Sequence, residues 1–134
     1  LDQDQYGVRE LWQNSAQAFV QLRGVCEDHA MVLADWLISE GLDARVVTGK
    51  YNGGGHAWVV VYKDDDVFLL EATSKRARKS WSHYPLANAA TAYRAEEMFN
   101  RDTFWVFDDE KGTQNYDMSN WREASKFYRL SSNL

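Results

Sequence analysis

Residues 53–71 read Gly-Gly-Gly-His-Ala-Trp-Val-Val-Val-Tyr-Lys-Asp-Asp-Asp-Val-Phe-Leu-Leu-Glu. From His56 to Lys63 the run is β-branched and aromatic, a composition that suits a packed, pleated surface. Val67 to Glu71 is shorter and apolar. Asp64-Asp65-Asp66 between them is a turn signal, so the stretch predicts a β-hairpin. Register then carries a consequence, because a slip of one residue moves every side chain to the other face. If Lys63 pairs with Asp66 and Tyr62 with Val67, Trp58 opposes Glu71. His56 is then a diagonal neighbour of Glu71 on the same face. A three-residue connection would throw Glu71 to the opposite face.

Working outward, Ala44 to Lys50 is a further strand candidate through Val46, Val47 and Thr48. Before it, a helix is predicted from about Cys26, with Cys26, Ala30, Leu33, Ala34, Leu37 and Ile38 on its inward face. Glu27 and Asp28 fall in its first turn, which suits the positive end of the helix dipole. Gly41 supplies the left-handed residue that ends it. Residues 5–21 place Val8, Leu11, Trp12, Ala16, Phe19 and Val20 at helical spacing, with Ser15 available to cap a second segment.

Downstream, residues 72–88 read as an irregular arm carrying Trp81, His83, Tyr84 and Pro85. A helix is expected from about Ala89 to Asn100, a strand over Thr103–Phe107, a polar loop over Asp108–Asp117 and a closing helix over Asn120–Tyr128. Helices ahead of mostly antiparallel strands predict an α+β fold. With 134 residues, 45% of them hydrophobic and six tryptophans, the expectation is one domain over residues 1–134 with a single core.

The formal net charge is −5, which weighs against a nucleic-acid partner. The basic cluster Lys75-Arg76-Ala77-Arg78-Lys79 reads as a solvated loop rather than an anion-binding patch. No apolar run approaches a membrane span. The chain opens at Leu1, which fits a trimmed or processed product and leaves export open; a lone reactive thiol suits a cytoplasm. A single cysteine excludes an internal disulfide, a multi-cysteine zinc site and a two-cysteine redox motif.

That leaves Cys26 as core filler, a lone ligand or a nucleophile. A free cysteine is commonly a small buried hydrophobe. At a helix N-terminus, however, unpaired amides and partial positive charge favour the thiolate, the attacking species in cysteine chemistry. The same amides are donors for a developing oxyanion. His56 is the candidate base, and the glycines before it let the backbone bend and approach closely. Its blander reading is a strand end after a turn. Glu71 is the candidate orienting acid, or else a half-exposed carboxylate at the end of an apolar strand. His29, three residues after Cys26, is also within reach of the thiol. Cys26, His29 and His56 admit a metal reading, but one cysteine without a repeated spacing is thin support for it.

These residues fall in segments that resemble a known family. Trp12, Gly24-Val25-Cys26-Glu27-Asp28-His29-Ala30, Gly41-Leu42-Asp43-Ala44-Arg45-Val46-Val47-Thr48-Gly49, Gly55-His56-Ala57-Trp58-Val59 and Leu69-Leu70-Glu71-Ala72-Thr73 resemble the transglutaminase-like superfamily. Within it the resemblance is greatest to the bacterial transglutaminase-like cysteine proteinases. It covers roughly residues 10 to 75 and implies a papain-related core, with a nucleophile-bearing helix packed on an antiparallel sheet. By that resemblance Cys26 falls on the nucleophile, His56 on the base and Glu71 on the acid. Trp12 or Gln21 falls where oxyanion or site-lining groups occur, and Gly55 and Trp58, which flank the base, are the other candidate substrate-binding or oxyanion residues. The resemblance also implies a bacterial cytoplasm or periplasm.

Two positions depart from the family pattern. The family acid is usually aspartate, and Glu71 is one methylene longer. Val25 stands where relatives often carry aspartate before the cysteine. Glu27 and Asp28 alone are a poor cage for calcium, which takes six to eight oxygen ligands, so no metal and no cofactor is expected. The expected function is therefore a thiol-dependent peptidase or amidase acting on a protein or peptide, with transamidation by an amine acceptor as a variant. A non-catalytic binding module on the same fold is the alternative.

Overall fold

The computed structural model describes residues 25–71, 84–101, 103–109 and 111–126. The expected helical segment 5–21, Trp12, Gln21, the basic cluster 75–79, Trp81 and His83 lie outside them. Among the described residues there is one α-helix, α1 (Val25–Ser39), followed by strands β1 (Asp43–Tyr51), β2 (Gly54–Lys63), β3 (Asp66–Leu70), β4 (Tyr93–Phe99), β5 (Thr103–Val106) and β6 (Arg122–Lys126). The strands form one sheet in the order β3-β2-β1-β4-β5-β6, and every neighbouring pair is antiparallel.

This corrects the expected α+β, papain-like and transglutaminase-like core. The described chain is mostly antiparallel sheet with a single helix, and it is not clearly papain-like. The difference lies in the C-terminal half, where two expected helices are strands. Residues 93–99 form β4, and residues 122–126 form β6. Both strands carry an irregularity. Opposite β1, the register shifts between Thr48 and Gly49, so that Glu96 is an extra residue on β4. Opposite β5 it shifts between Phe104 and Trp105, making Ala124 extra on β6. An extra residue resets the two-residue alternation of a strand. The buried positions Ala95, Met98 and Phe99 therefore acquire the three-and-four spacing of a helix face.

The hairpins follow from turn chemistry. β1 and β2 are joined by Asn52 (φ 49°) and Gly53 (φ 86°), and β2 and β3 by Asp64 (φ 53°) and Asp65 (φ 68°). Two consecutive positive-φ residues give the turn whose twist matches paired strands. Of the three glycines, only Gly53 is in the turn; Gly54 and Gly55 begin β2. α1 ends in a Schellman arrangement: Gly41 has φ 91°, its N–H donates to the Ile38 carbonyl at 2.9 Å, and Leu42 N–H donates to Leu37 at 3.1 Å. Arg101 ties the helix to the far strands, its Nε donating to Asp35 Oδ1 at 2.6 Å.

Both faces of the sheet are covered. α1 lays Ala30, Met31, Ala34 and Leu37 on the face that carries Val46, Ala57, Val59, Val61 and Leu70. The other face carries Val47, Trp58, Val60 and Leu69, and is covered by Ala87, Tyr116 and Trp121. Double burial explains why Val59-Val60-Val61 is continuously apolar rather than alternating. Each such side chain contributes roughly 1.5–3 kcal/mol by leaving water. Among the described residues, no helix is long and apolar enough to cross a membrane.

Candidate active site

The β2–β3 ladder pairs Lys63 with Asp66, Tyr62 with Val67 and Val59 with Leu70. One step on, this register sets Glu71 against Trp58 and diagonal to His56, as the two-residue connection requires. The side chains meet: His56 Nε2 lies 3.0 Å from both Glu71 Oε1 and Oε2. An ionised carboxylate only accepts, so Nε2–H is the donor, and in the neutral form of the ring Nδ1 would carry the lone pair. Both side chains are half-buried. Among the described residues, nothing holds Nδ1.

A third group joins them from β4. The Tyr93 hydroxyl donates to Glu71 Oε2. Tyr93 pairs with Tyr51 across β1 and β4, and their rings lie 4.6 Å apart. Tyr51 is 5.5 Å from the His56 ring and 40% exposed, so it forms the outer wall. Trp58 is the inner wall, stacked on His56 at 6.0 Å. Its side chain is fully buried, and its Nε1–H donates to the Tyr116 hydroxyl at 3.2 Å. Burial, first, and then the hydrogen bond and negative charge of Glu71 push the Tyr93 hydroxyl well above the ordinary tyrosine range, so it stays a donor. Burial does the same to Tyr116.

Tyr93 has no counterpart in the sequence reading, because it falls within the segment expected to be a helix. The alternation Tyr93-Arg94-Ala95-Glu96 was the available signal; the extra residue at Glu96 hides it from there on. Gly49 of β1 pairs with His56 on one side and with Ala95 on the other. A Cβ built at Gly49 would lie 2.1 Å from the Arg94 carbonyl oxygen, so only glycine fits this crossing point.

Cys26 is the second residue of α1; its side chain lies outside those described. α1 returns through Gly41 into β1 and packs on β1 and β2, so helix and strand run antiparallel. Roughly 20 Å of helix from Cys26 to Ser39, at 1.5 Å per residue, matches roughly 20 Å of strand from Asp43 to Gly49. Cys26 is therefore level with the Gly49–His56 end of the sheet. The faces differ, however. α1 covers the face of Ala57 and Val59, whereas His56, Trp58 and Glu71 project from the other. At that strand end Gly54 and Gly55 carry no side chains. Gly55 is exposed there, opposite Lys50. His29 is half-buried on α1. Among the described residues, no three histidine, cysteine, aspartate or glutamate side chains are grouped to hold a metal ion.

With this geometry in place, the comparisons with known proteins define the class. A family model described as the CEP76 peptidase-like domain matches residues 10–124, and the chain belongs to that family. Over 65 residues, 48% of the chain, it is 36% identical to the centrosomal protein of 76 kDa of Mus musculus. The match spans about a tenth of that relative's length. No solved structure matches the chain. These findings overturn the resemblance to bacterial transglutaminase-like cysteine proteinases, and with it the bacterial setting. Four segments in order, around Cys26, residues 41–49, His56 and Glu71, carried that resemblance, and such an order does not separate one peptidase-like family from another.

Proposed function

We propose that this domain is a thiol-dependent amide hydrolase, with Cys26 as nucleophile, His56 as base and Glu71 as the acid that orients it. The observation that carries the reading is the His56–Glu71 pair. Glu71 accepts the hydrogen bond of Nε2–H and leaves the Nδ1 lone pair for the thiol, the arrangement a cysteine–histidine pair needs. In the reaction, His56 takes the Cys26 proton and the sulfur adds to the substrate carbonyl carbon. The carbon–nitrogen bond then breaks, and imidazolium returns its proton to the departing amine. Water adds to the thioester as His56 accepts its proton. Collapse releases the acid and restores the thiol. The N-terminal amides of α1 are the candidate oxyanion donors.

Iodoacetamide labelling of Cys26 across pH tests this. The expected result is rapid alkylation well below the ordinary thiol pKa of about 8.5. In His56→Ala that low-pH reactivity disappears, and Cys26→Ala removes hydrolysis across a peptide panel. Alkylation that rises only near the ordinary pKa, regardless of His56, overturns the proposal.

A second reading is a non-catalytic peptide-binding module in which Cys26 is structural. The placement of α1 and His56 on opposite faces favours it, and the naming of the mouse relative for the centrosome is compatible with it. Its signature is peptide binding that survives Cys26→Ala, together with an ordinary thiol.

A further inference from the structure

Glu71 receives side chains from two other strands on one face of the sheet. It follows β3, whereas Tyr93 is on β4, and β2 and β1 lie between them. Three inter-strand steps of about 4.8 Å amount to roughly 14 Å, which two long side chains span only if both extend over the intervening strands. They do so, and Tyr93 donates to Glu71 Oε2. The path crosses β1 at the end where Gly49 pairs with His56. The tyrosine ring is held along that path, edge-on to Trp58 at 5.0 Å and against Tyr51 at 4.6 Å. Aspartate at position 71 would end one methylene short of this contact.

We propose that Tyr93 is a positioning residue for His56. Its hydroxyl pins one oxygen of Glu71 so that the carboxylate faces Nε2–H, which keeps the neutral imidazole in the form whose Nδ1 is basic. The extra methylene of Glu71 is what lets the carboxylate serve both partners. This deepens the reading of His56 as the base of the site and rests on it for its functional meaning; the tautomer it sets is measurable without any activity.

The test is the nitrogen NMR spectrum of His56 in the full chain carrying Cys26→Ala, above the histidine pKa. The expected spectrum shows the Nε2–H tautomer with a slowly exchanging proton. Tyr93→Phe keeps the ring packing and removes only the hydroxyl. It should lower the ratio of Nε2–H to Nδ1–H tautomer by about tenfold, the size of one charge-assisted hydrogen bond, and speed exchange of that proton. Glu71→Asp, which leaves Tyr93 intact but out of reach, should give the same change and serves if the phenylalanine variant does not fold. A tautomer ratio and exchange rate equal to wild type in either variant overturns the proposal. Because Cys26 is absent throughout, an inert thiol in the labelling experiment defeats the hydrolase reading without altering this result. Conversely, an unchanged tautomer defeats the role of Tyr93 even if the thiol is activated.

Discussion

Two charged clusters stand on the same face of the sheet, at opposite ends of the β1–β2 pair. At one end Arg45 pairs across to Val60; at the other Gly49 pairs with His56. Arg45 is closed on every side. Its Nε and Nη2 donate to Asp43 at 3.0 Å each, and its guanidinium lies 4.2 Å from the ring centres of both Tyr62 and Trp105. Its Nη1 faces the sulfur of Met118 at 2.9 Å. His56 also has a carboxylate partner and aromatic walls. It differs in keeping a ring nitrogen that nothing described holds, beside an exposed tyrosine and a glycine edge. A saturated cluster can only stabilise the fold; within the proposed function, the ring nitrogen left open on His56 is the one used for chemistry.

The comparison breaks first at Arg45. Replacing it with alanine removes two desolvated cation–π contacts and a buried side chain, and should cost about 3 kcal/mol in a denaturant titration. Lysine should restore little, because an ammonium does not stack as a planar guanidinium does. A loss of under about 1 kcal/mol for Arg45→Ala would mean that the cluster is ornamental.

The closed cluster also gives a pH signature. Burial, foremost, raises the Tyr62 hydroxyl to about 12, with Asp43 and Asp117 adding to the rise and Arg45 opposing it. Its hydroxyl donates to the Tyr116 carbonyl at 2.8 Å. A group that holds its proton more tightly when folded gives stability that is complete below its unfolded pKa and lost as pH rises through the folded one. The window for Tyr62 therefore runs from about pH 10 to about pH 12. Stability should fall there by up to roughly 1.4 kcal/mol per pH unit for this one group. Tyr62→Phe should flatten that slope in denaturant midpoints measured against pH. An unchanged slope would assign alkaline unfolding to the other buried tyrosines.

What the sequence makes legible follows from how local the signal is. The β2–β3 hairpin is legible in residues 53–71; the length of its aspartate turn is what the structure adds, and with two residues there the register fixes which side chains share a face. The meeting of His56 and Glu71 follows from that alone. β4 and β6 are not legible, because an extra residue in each erases the alternation on which a strand is read. Tyr93 is hidden with β4. The Arg45 sandwich is hidden for another reason: Trp105 and Met118 approach it from far along the chain, and no spacing rule relates them. The family is legible only as a class of chemistry. An ordered cysteine, histidine and acid point to peptidase-like domains broadly, whereas assignment to the CEP76 peptidase-like family rests on the match over residues 10–124.

The smallest effect sharpens the comparison most. His56→Ala removes a half-buried pair whose members remain open to solvent at the sheet end. Exposed or half-exposed ion pairs contribute little, and Trp58 beneath stays packed through its own bond to Tyr116. Stability should therefore change by less than about 1 kcal/mol, in contrast to the larger loss expected at Arg45. Within the proposed function, the same substitution removes the low-pH reactivity of Cys26. A variant that keeps its denaturation midpoint and loses thiol activation would separate the two ends of the sheet by role. If His56→Ala instead destabilised the protein as much as Arg45→Ala, the His56–Glu71–Tyr93 cluster would be a second structural clamp, and the contrast between a saturated and an unsaturated end would fail.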